Sequence, residues 1–308
     1  MSLSPTSSSR LPIAPAPRLS ITACVCTRDR PELLARALRS LLAQSRPADD
    51  IVVIDNAPRT DAAERLVRDD FPSVRYVREP VAGLDVARNR ALAESTRQVV
   101  AFLDDDAVAA PDWLAHTERV FLESERIAVC TGRVDALSLD EPGQRLFEEN
   151  GGFARGDVRI HLPIDARRRA LHGLRAPLIA WSISVGSGCS MAVRRDAALA
   201  LGGFDDALDM GPPLAGGGDL DMLWRALESG YDVVYEPAIE ARHEHRRERA
   251  EAIAQIVEHN RSLIAVLTKA VARARGAHRL QALAFLGWRL AKPGARLALR
   301  AAGRDPLP

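Results

Sequence analysis

Lysine is nearly absent from this chain: Lys269 and Lys292 are the only two among 42 basic residues. The positive charge is therefore arginine, a bias that genomic base composition explains as readily as function does. An excess of either sign is also missing. Forty-one acidic residues leave a net charge of +1, so no global field draws the chain to nucleic acid or an anionic membrane. Cysteine is scarce. Cys24 and Cys26 form a C-x-C on an apolar stretch, and Cys130 and Cys189 stand apart. This spacing fits neither a zinc site nor a disulfide framework, so the four read as buried thiols of a reducing compartment. No hydrophobic run is long enough to span a bilayer. The opening MSLSPTSSSRLPIAPAPR is Ser- and Pro-rich. It lacks the apolar stretch of a secretion signal and is expected to be a disordered leader over residues 1–18. The expected location is cytoplasmic, with attachment at the inner face of the membrane as the variant to weigh. What is present, 308 residues with 47% hydrophobic and 27% charged, suffices for one large globular domain or two small ones.

Strands and helices alternate along the first hundred residues. LSITACVCT, Leu19 to Thr27, is a short apolar run rich in small and β-branched residues and reads as a buried strand. PELLARALRSLLAQ follows with helical spacing and Pro31 in its first turn. DIVVIDN is a second strand, a helix runs from Ala62 to Arg68, VRYVRE is a third strand, GLDVARNRALAES a helix, and QVVAFLDDD the next strand. Such alternation predicts a parallel sheet covered on both faces. Ligands of such sheets bind beyond the carboxyl ends of the strands. Asp29, Asp55 and Asp104 to Asp106 all fall just past strand ends, which predicts one shared site.

Three adjacent carboxylates at the end of a buried strand repel and raise each other's pKa unless a cation or donors hold them. Alone, DDD is as well read as a solvated turn. In order along the chain, however, CVCTRDRPELLARALRSLLAQ, IVVIDNAP, GLDVARNRAL, VVAFLDDDA, GSGCSMAVRRDAALALGGFDD and GGGDLDMLWRALESGYDVVYEPAIEARHEHR resemble the successive segments of the family 2 glycosyltransferases. These are inverting enzymes of the GT-A fold. The resemblance runs from about Leu19 to about Arg247.

The resemblance implies an α/β GT-A fold, a Rossmann-like, mostly parallel sheet flanked by helices, over residues 19–249. Its nucleotide-binding half is about 19–110 and its acceptor-binding half about 111–249. It implies Mn²⁺ or Mg²⁺, carried by hard carboxylate oxygens, with Asp106 a direct ligand and His243 completing the shell. The implied nucleotide-sugar contacts are Thr27, Asp29, Arg30, Asp55, Arg88, Asp104 and Asp105. Among them Asp55 would accept the imide N–H of uracil, and Asp104 would meet the ribose or the metal's waters. Asp29 stands where the family usually has Asn. Asp219 is the implied general base, with Gly218 where the family usually has Glu. Taken alone, Asp29 also reads as a helix cap, Asp55 as a turn residue, Arg88 as a solvated helix face, Asp219 and Asp221 as N-terminal caps of a helix, and His243 as a surface histidine. Gly216 to Gly218 read as a mobile loop. His245, Arg246 and Arg247 are candidates to pair with a diphosphate.

The partners that follow are a nucleotide-sugar donor, by default a UDP-sugar with dTDP and GDP as alternatives, and an acceptor that the residues do not identify: a glycan, a lipid-linked group or a small molecule. Nucleic acid is not expected. Residues 250–308 change character and read as a basic helical extension. It either packs on the catalytic domain or lies on a membrane surface. Two rivals remain at this stage. A sugar nucleotidyltransferase uses a similar carboxylate pair, but usually begins with a Gly-rich phosphate loop that CVCTRDRPE lacks. A catalytically inactive nucleotide-sugar-binding module is the other.

Overall fold

The computed structural model describes residues 18–165, 178–211 and 213–301, with side chains up to Lys292. The expected leader, apart from Arg18, lies outside the described residues. The first half follows the predicted alternation closely. β1 (Ile21–Thr27), α1 (Pro31–Leu42), β2 (Asp50–Asn56), α2 (Ala62–Asp70), β3 (Arg75–Glu79), α3 (Leu84–Glu94) and β4 (Val99–Leu103) succeed one another. Pro31 opens α1, where its missing N–H costs nothing. β1 pairs with β2 and β4, and β2 with β3, all parallel.

Beyond β4 the sheet changes sense. β5 (Ala107–Ala109), β6 (Ile127–Ala136), β7 (Ile160–Leu162), β8 (Ser190–Arg194) and β9 (Asp232–His243) complete it in the order β3-β2-β1-β4-β8-β6-β9-β5, with β7 also on β9. β8 is antiparallel to both β4 and β6, while β6 and β9 are parallel. The sheet is thus parallel in its first half and mixed in its second. The remaining helices are α4 (Trp113–Glu123), α5 (Pro142–Glu149), α6 (Leu178–Ser182), α7 (Arg195–Ala200), α8 (Gly218–Glu228), α9 (Arg249–Arg273) and α10 (Gly276–Ala301).

Side-chain alternation along β1 divides the core. Ile21, Ala23 and Val25 join α1, α2 and α4 on one face. Cys24 and Cys26 turn to the other, where α3, α6, α7 and α8 pack. All four thiols are free and none is exposed. A third apolar cluster joins the C-terminal helices to this body: Leu263, Leu267, Ala270, Ala274 and Ala282 meet Ile179 on α6 and Trp224 on α8. The extension therefore packs on the α/β body, the first of the two expected outcomes. Among the described residues no helix is long and apolar enough to cross a membrane.

Candidate active site

A cleft of about 350 Å³ opens at the carboxyl ends of β1 and β4. Three walls meet there. Cys26, Arg30 and Asp104 to Asp106 form the sheet side, Gly186 to Cys189 with Gly216, Gly217, Asp219 and Leu220 the second, and Gln255, His259, Asn260, Ser262 and Leu263 of α9 the third. Arg88, Arg155, Asp209, His243 and Arg246 also reach it. Asp106 and His243 meet because β5 is antiparallel to β9 with Ala107 opposite His243. The backbone N–H of Glu244 donates to the Asp106 carbonyl at 2.9 Å.

The three carboxylates part ways. Asp105 turns inward. It accepts the Thr27 hydroxyl at 2.7 Å and pairs with Arg30 at 2.8 Å. Burial pushes its carboxyl up to about 7 against the pull of Arg30. Asp106 lies between Arg30 at 2.9 Å and His243 Nε2 at 3.1 Å. Burial opposes its charge, yet His243 and Arg30 hold the carboxyl well below the usual carboxylate range. Asp104 faces the cleft with its pKa raised by burial and by Asp106. Its donor atom lies with those of Cys189 and His243 inside 4.8 Å. The cationic partner of the acidic loop in this structure is thus Arg30, a residue that sequence reasoning assigned to the nucleotide.

Two carboxylates and an imidazole suit Mn²⁺ or Mg²⁺, and Asp106 Oδ1 is buried without a hydrogen-bond donor. These residues fit such an ion. Cys189 fits it less well, since burial holds its thiol well above its ordinary pKa and a hard cation prefers oxygen.

Other residues stand as follows. Asp55 is fully buried near the end of β2. Its Oδ2 accepts the Tyr76 hydroxyl at 2.7 Å, and its Oδ1 has no partner. Burial raises its pKa. Asp29 has a positive φ of 55° and is bound by Arg59 through backbone and side chain, at 2.9 and 2.7 Å. It caps nothing and does not line the cleft. Arg88 is not a solvated helix face. It is 4% exposed and holds Asp85 at 3.0 Å and Asp209 at 3.6 Å beneath the cleft.

Asp219 lies in the first turn of α8, at the cleft wall, its Oδ2 accepting the Gly188 N–H at 2.7 Å. Asp221, two residues on, is buried between Arg225 and Lys269, both at 2.6 Å, and does not line the cleft. Gly217 and Gly218 are buried rather than part of an open loop. Gly217 is a left-handed N-cap against Ser262 and Val266 of α9. A Cβ at Gly218 would fall 1.7 Å from Asp85 Oδ2. The Asp85 carboxylate occupies the space a side chain at 218 would need, which explains glycine there. Arg246 reaches the cleft, whereas Arg247 pairs with Glu244 at 2.9 Å and His245 is buried against Glu148.

Sequence reasoning missed Asp85, Cys189, Asp209 and the α9 wall. Asp85 and Cys189 had a signal, each lying inside a quoted segment, GLDVARN and GSGCSM.

Comparison with known proteins agrees with this geometry. The chain is 34% identical over 198 residues to the succinoglycan biosynthesis protein ExoM of Rhizobium meliloti, covering 61% of this chain and 56% of that protein. It is 28% identical over 226 residues to a pre-mycofactocin glycosyltransferase of Mycobacterium tuberculosis, covering 72% and 43%. The chain thus spans about half the length of these two relatives. Its fold is similar to that of the mannosyltransferase PcManGT from Pyrobaculum calidifontis, solved with GDP-Man and Mn²⁺. The TM-score is 0.62 at 22% identity, over 96% of this chain and 79% of that one. The fold is therefore GT-A with a helical C-terminal part. Since the glycosyl transferase family 2 model matches residues 22–202, more than half of the chain, this protein belongs to that family.

Proposed function

We propose that the chain is a metal-dependent, inverting glycosyltransferase, moving a sugar from a nucleoside diphosphate sugar to an acceptor nucleophile. One observation carries the reading: the acidic loop with His243 and the carboxylate of Asp219 line a single cleft. A donor diphosphate and an acceptor hydroxyl need those two chemistries side by side. A divalent ion bound by Asp106 and His243, with Asp104 beside them, would neutralise the charge that develops on the leaving diphosphate.

The chain's own groups supply the rest. Asp219 takes the acceptor proton as the hydroxyl attacks. The Gly188 and Leu220 N–H groups each hold one of its oxygens, and the acceptor proton goes to a remaining carboxylate lone pair on the cleft side. Asp55 Oδ1, buried and without a donor, suits the imide N–H of a uracil base. Thr27 and Arg30 shape the donor side by holding Asp105 and Asp106. Arg88 and Arg246 bring positive charge toward a diphosphate. The α9 side of the cleft is the proposed acceptor wall. The proposed acceptor class is a growing glycan, a glycolipid or a natural product, the first supported by the relative in succinoglycan biosynthesis. Exposed Leu280, Leu283, Trp288 and Leu290 on α10, with Arg279 beside them, support a peripheral contact with a membrane that carries the acceptor. Residues 19–249 and 250–308 are the proposed catalytic and helical units. Cytoplasmic placement remains part of the proposal.

The test is isothermal titration of UDP and GDP into the purified chain with and without Mn²⁺, repeated with Asp106→Ala. Nucleotide binding that requires Mn²⁺ in the native chain and is lost in a variant with an unchanged melting curve is expected. Nucleotide binding with the same Mn²⁺ dependence in Asp106→Ala removes the metal assignment. Activity assays separate the rivals: a nucleotidyltransferase releases pyrophosphate from UTP and a sugar phosphate, whereas an inactive module binds a UDP-sugar with Mn²⁺ present and does not hydrolyse it.

A further inference from the structure

We propose that Glu148, acting through His245, is a positioning residue that fixes the ring and the tautomer of His243 at the metal position. The inference rests on the metal reading just proposed. It starts from a chain of close polar contacts, the last two of them hydrogen bonds, that runs from the cleft to α5. Asp106 Oδ1 faces His243 Nε2 at 3.1 Å, His243 Nδ1 meets His245 Nδ1 at 2.8 Å, and His245 Nε2 meets Glu148 Oε1 at 2.7 Å. Both rings are buried, 5% and 1% exposed. Phe153 packs edge-on against His243 at 5.0 Å between centroids, and Phe147 packs at a tilt against His245 at 4.8 Å. Neither ring has room to turn away from its hydrogen bonds.

The direction of the chain follows from its ends. A cation needs a lone pair on His243 Nε2, so the proton of that ring must sit on Nδ1. Nδ1–H then donates to His245 Nδ1, which must be the acceptor nitrogen of its own ring. The proton of His245 is therefore on Nε2, and it needs an acceptor. Glu148 is that acceptor. Its carboxylate accepts and cannot donate, so it selects this direction over the reverse. With Nε2 a lone pair, His243 and Asp106 Oδ1 are two acceptors facing each other at 3.1 Å. That repels on its own, but it is close to the roughly 3 Å between neighbouring donors of an octahedral cation bonded at about 2.1 Å.

Glu148 is itself held in place. Its helix opens with a capping box between Glu141 and Gln144. The Gly143 N–H donates to the Arg247 carbonyl at 2.8 Å, so the start of α5 grips the segment just after His245. A Cβ at Gly143 would lie within 2.7 Å of three carbonyl oxygens there, and one at Gly152 would lie 2.4 Å from Glu148 Oε2. Glycine at both positions lets helix and carboxylate close on the histidine pair.

The test follows Mn²⁺ alone, by the EPR signal of the free ion, on the full chain and on Glu148→Ala and Glu148→Gln. Melting curves accompany each variant. Glu148→Ala should weaken Mn²⁺ binding about 10- to 100-fold. Glu148→Gln retains an oxygen that can accept from His245 Nε2 and should restore most of that loss. In the native chain, with Mg²⁺ in place of Mn²⁺, ¹⁵N spectra of the histidines should show His243 protonated at Nδ1. A native chain with His243 protonated at Nε2 under Mg²⁺ overturns the proposal without any variant. Unchanged Mn²⁺ affinity in Glu148→Ala, or equal losses in both variants, overturns it while leaving the metal site standing. A native chain that binds no Mn²⁺ removes the metal reading and this inference together.

Discussion

The acidic loop shows how little a run of identical residues says about its members. Asp104, Asp105 and Asp106 are consecutive, yet one faces the cleft, one anchors β1 through Thr27, and one sits between a guanidinium and an imidazole. The strand ending at Leu103 turns each side chain a different way, so the three meet different dielectric surroundings and charges. Their carboxyls are shifted in opposite directions as a result. Asp219 carries the clearest residue-scale prediction. Asp219→Asn keeps an oxygen for one of the two backbone donors on this side chain, the Gly188 and Leu220 N–H groups, and gives up the other, so a melting curve accompanies the kinetics. The substitution removes the carboxylate proposed to take the acceptor proton. Turnover at saturating substrate should fall by about 10²- to 10⁴-fold, with nucleotide affinity little changed, since the loss belongs to the transition state. Steady-state kinetics beside a nucleotide titration measures both. Near-native turnover would remove Asp219 as base. Asp221 would not replace it, because Arg225 and Lys269 already occupy its oxygens.

At the scale of the element, α8 and α3 are fitted to each other through one missing side chain. Gly218 begins α8 where Asp85, in the first turn of α3, projects its carboxylate. Asp85 is paired with Arg88, and Arg88 in turn borders the cleft. Gly218→Ala should therefore act on the site as well as on stability. The added Cβ must push Asp85 off Arg88, leaving buried charges less well paired, a change that costs about 1–3 kcal/mol by overpacking alone. Thermal melting and donor titration should both register the loss. The paired change Asp85→Gly with Gly218→Glu returns a carboxylate to the same space from the other helix, and should recover part of both. If Gly218→Ala melts and binds like the native chain, the space assigned to Asp85 is not occupied as described.

For the whole molecule, the C-terminal helices are part of the body. Leu267 is fully buried, Trp224 on α8 is 3% exposed beneath the α9–α10 pair, and Lys269 closes ion pairs to Asp205 and Asp221. A chain ending at residue 248 would expose Trp224 and Ile179 and leave Asp221 without Lys269. Uncovering two large side chains at about 1.5–3 kcal/mol each should lower the melting midpoint by on the order of 10 °C. It would also remove the Gln255–Leu263 wall of the cleft. Differential scanning calorimetry decides this, and an unchanged midpoint would make 250–308 an independent attachment.

The sequence by itself determined the alternating half of the sheet, the carboxylates at its strand ends and the helical end of the chain. These follow from local pattern: short β-branched runs, helical spacing after Pro31, and polar residues where strands stop. The family's motifs added His243 and Asp219 as partners of the acidic loop. Tertiary structure alone decided the rest. Arg30 rather than solvent faces Asp105 and Asp106, because the β1–α1 turn packs on the β4 loop 76 residues away. Arg88 is buried because Asp209 comes from a distant segment to join Asp85 of its own helix against the guanidinium. β5, β7 and β8, which run against the other strands of the sheet, belong to a stretch where no repeating pattern marks strand direction. The Glu148 contact with His245 spans 97 residues. Hydrogen bonds of that reach leave no periodicity in the chain, since they depend on which elements pack together and not on what lies next in sequence.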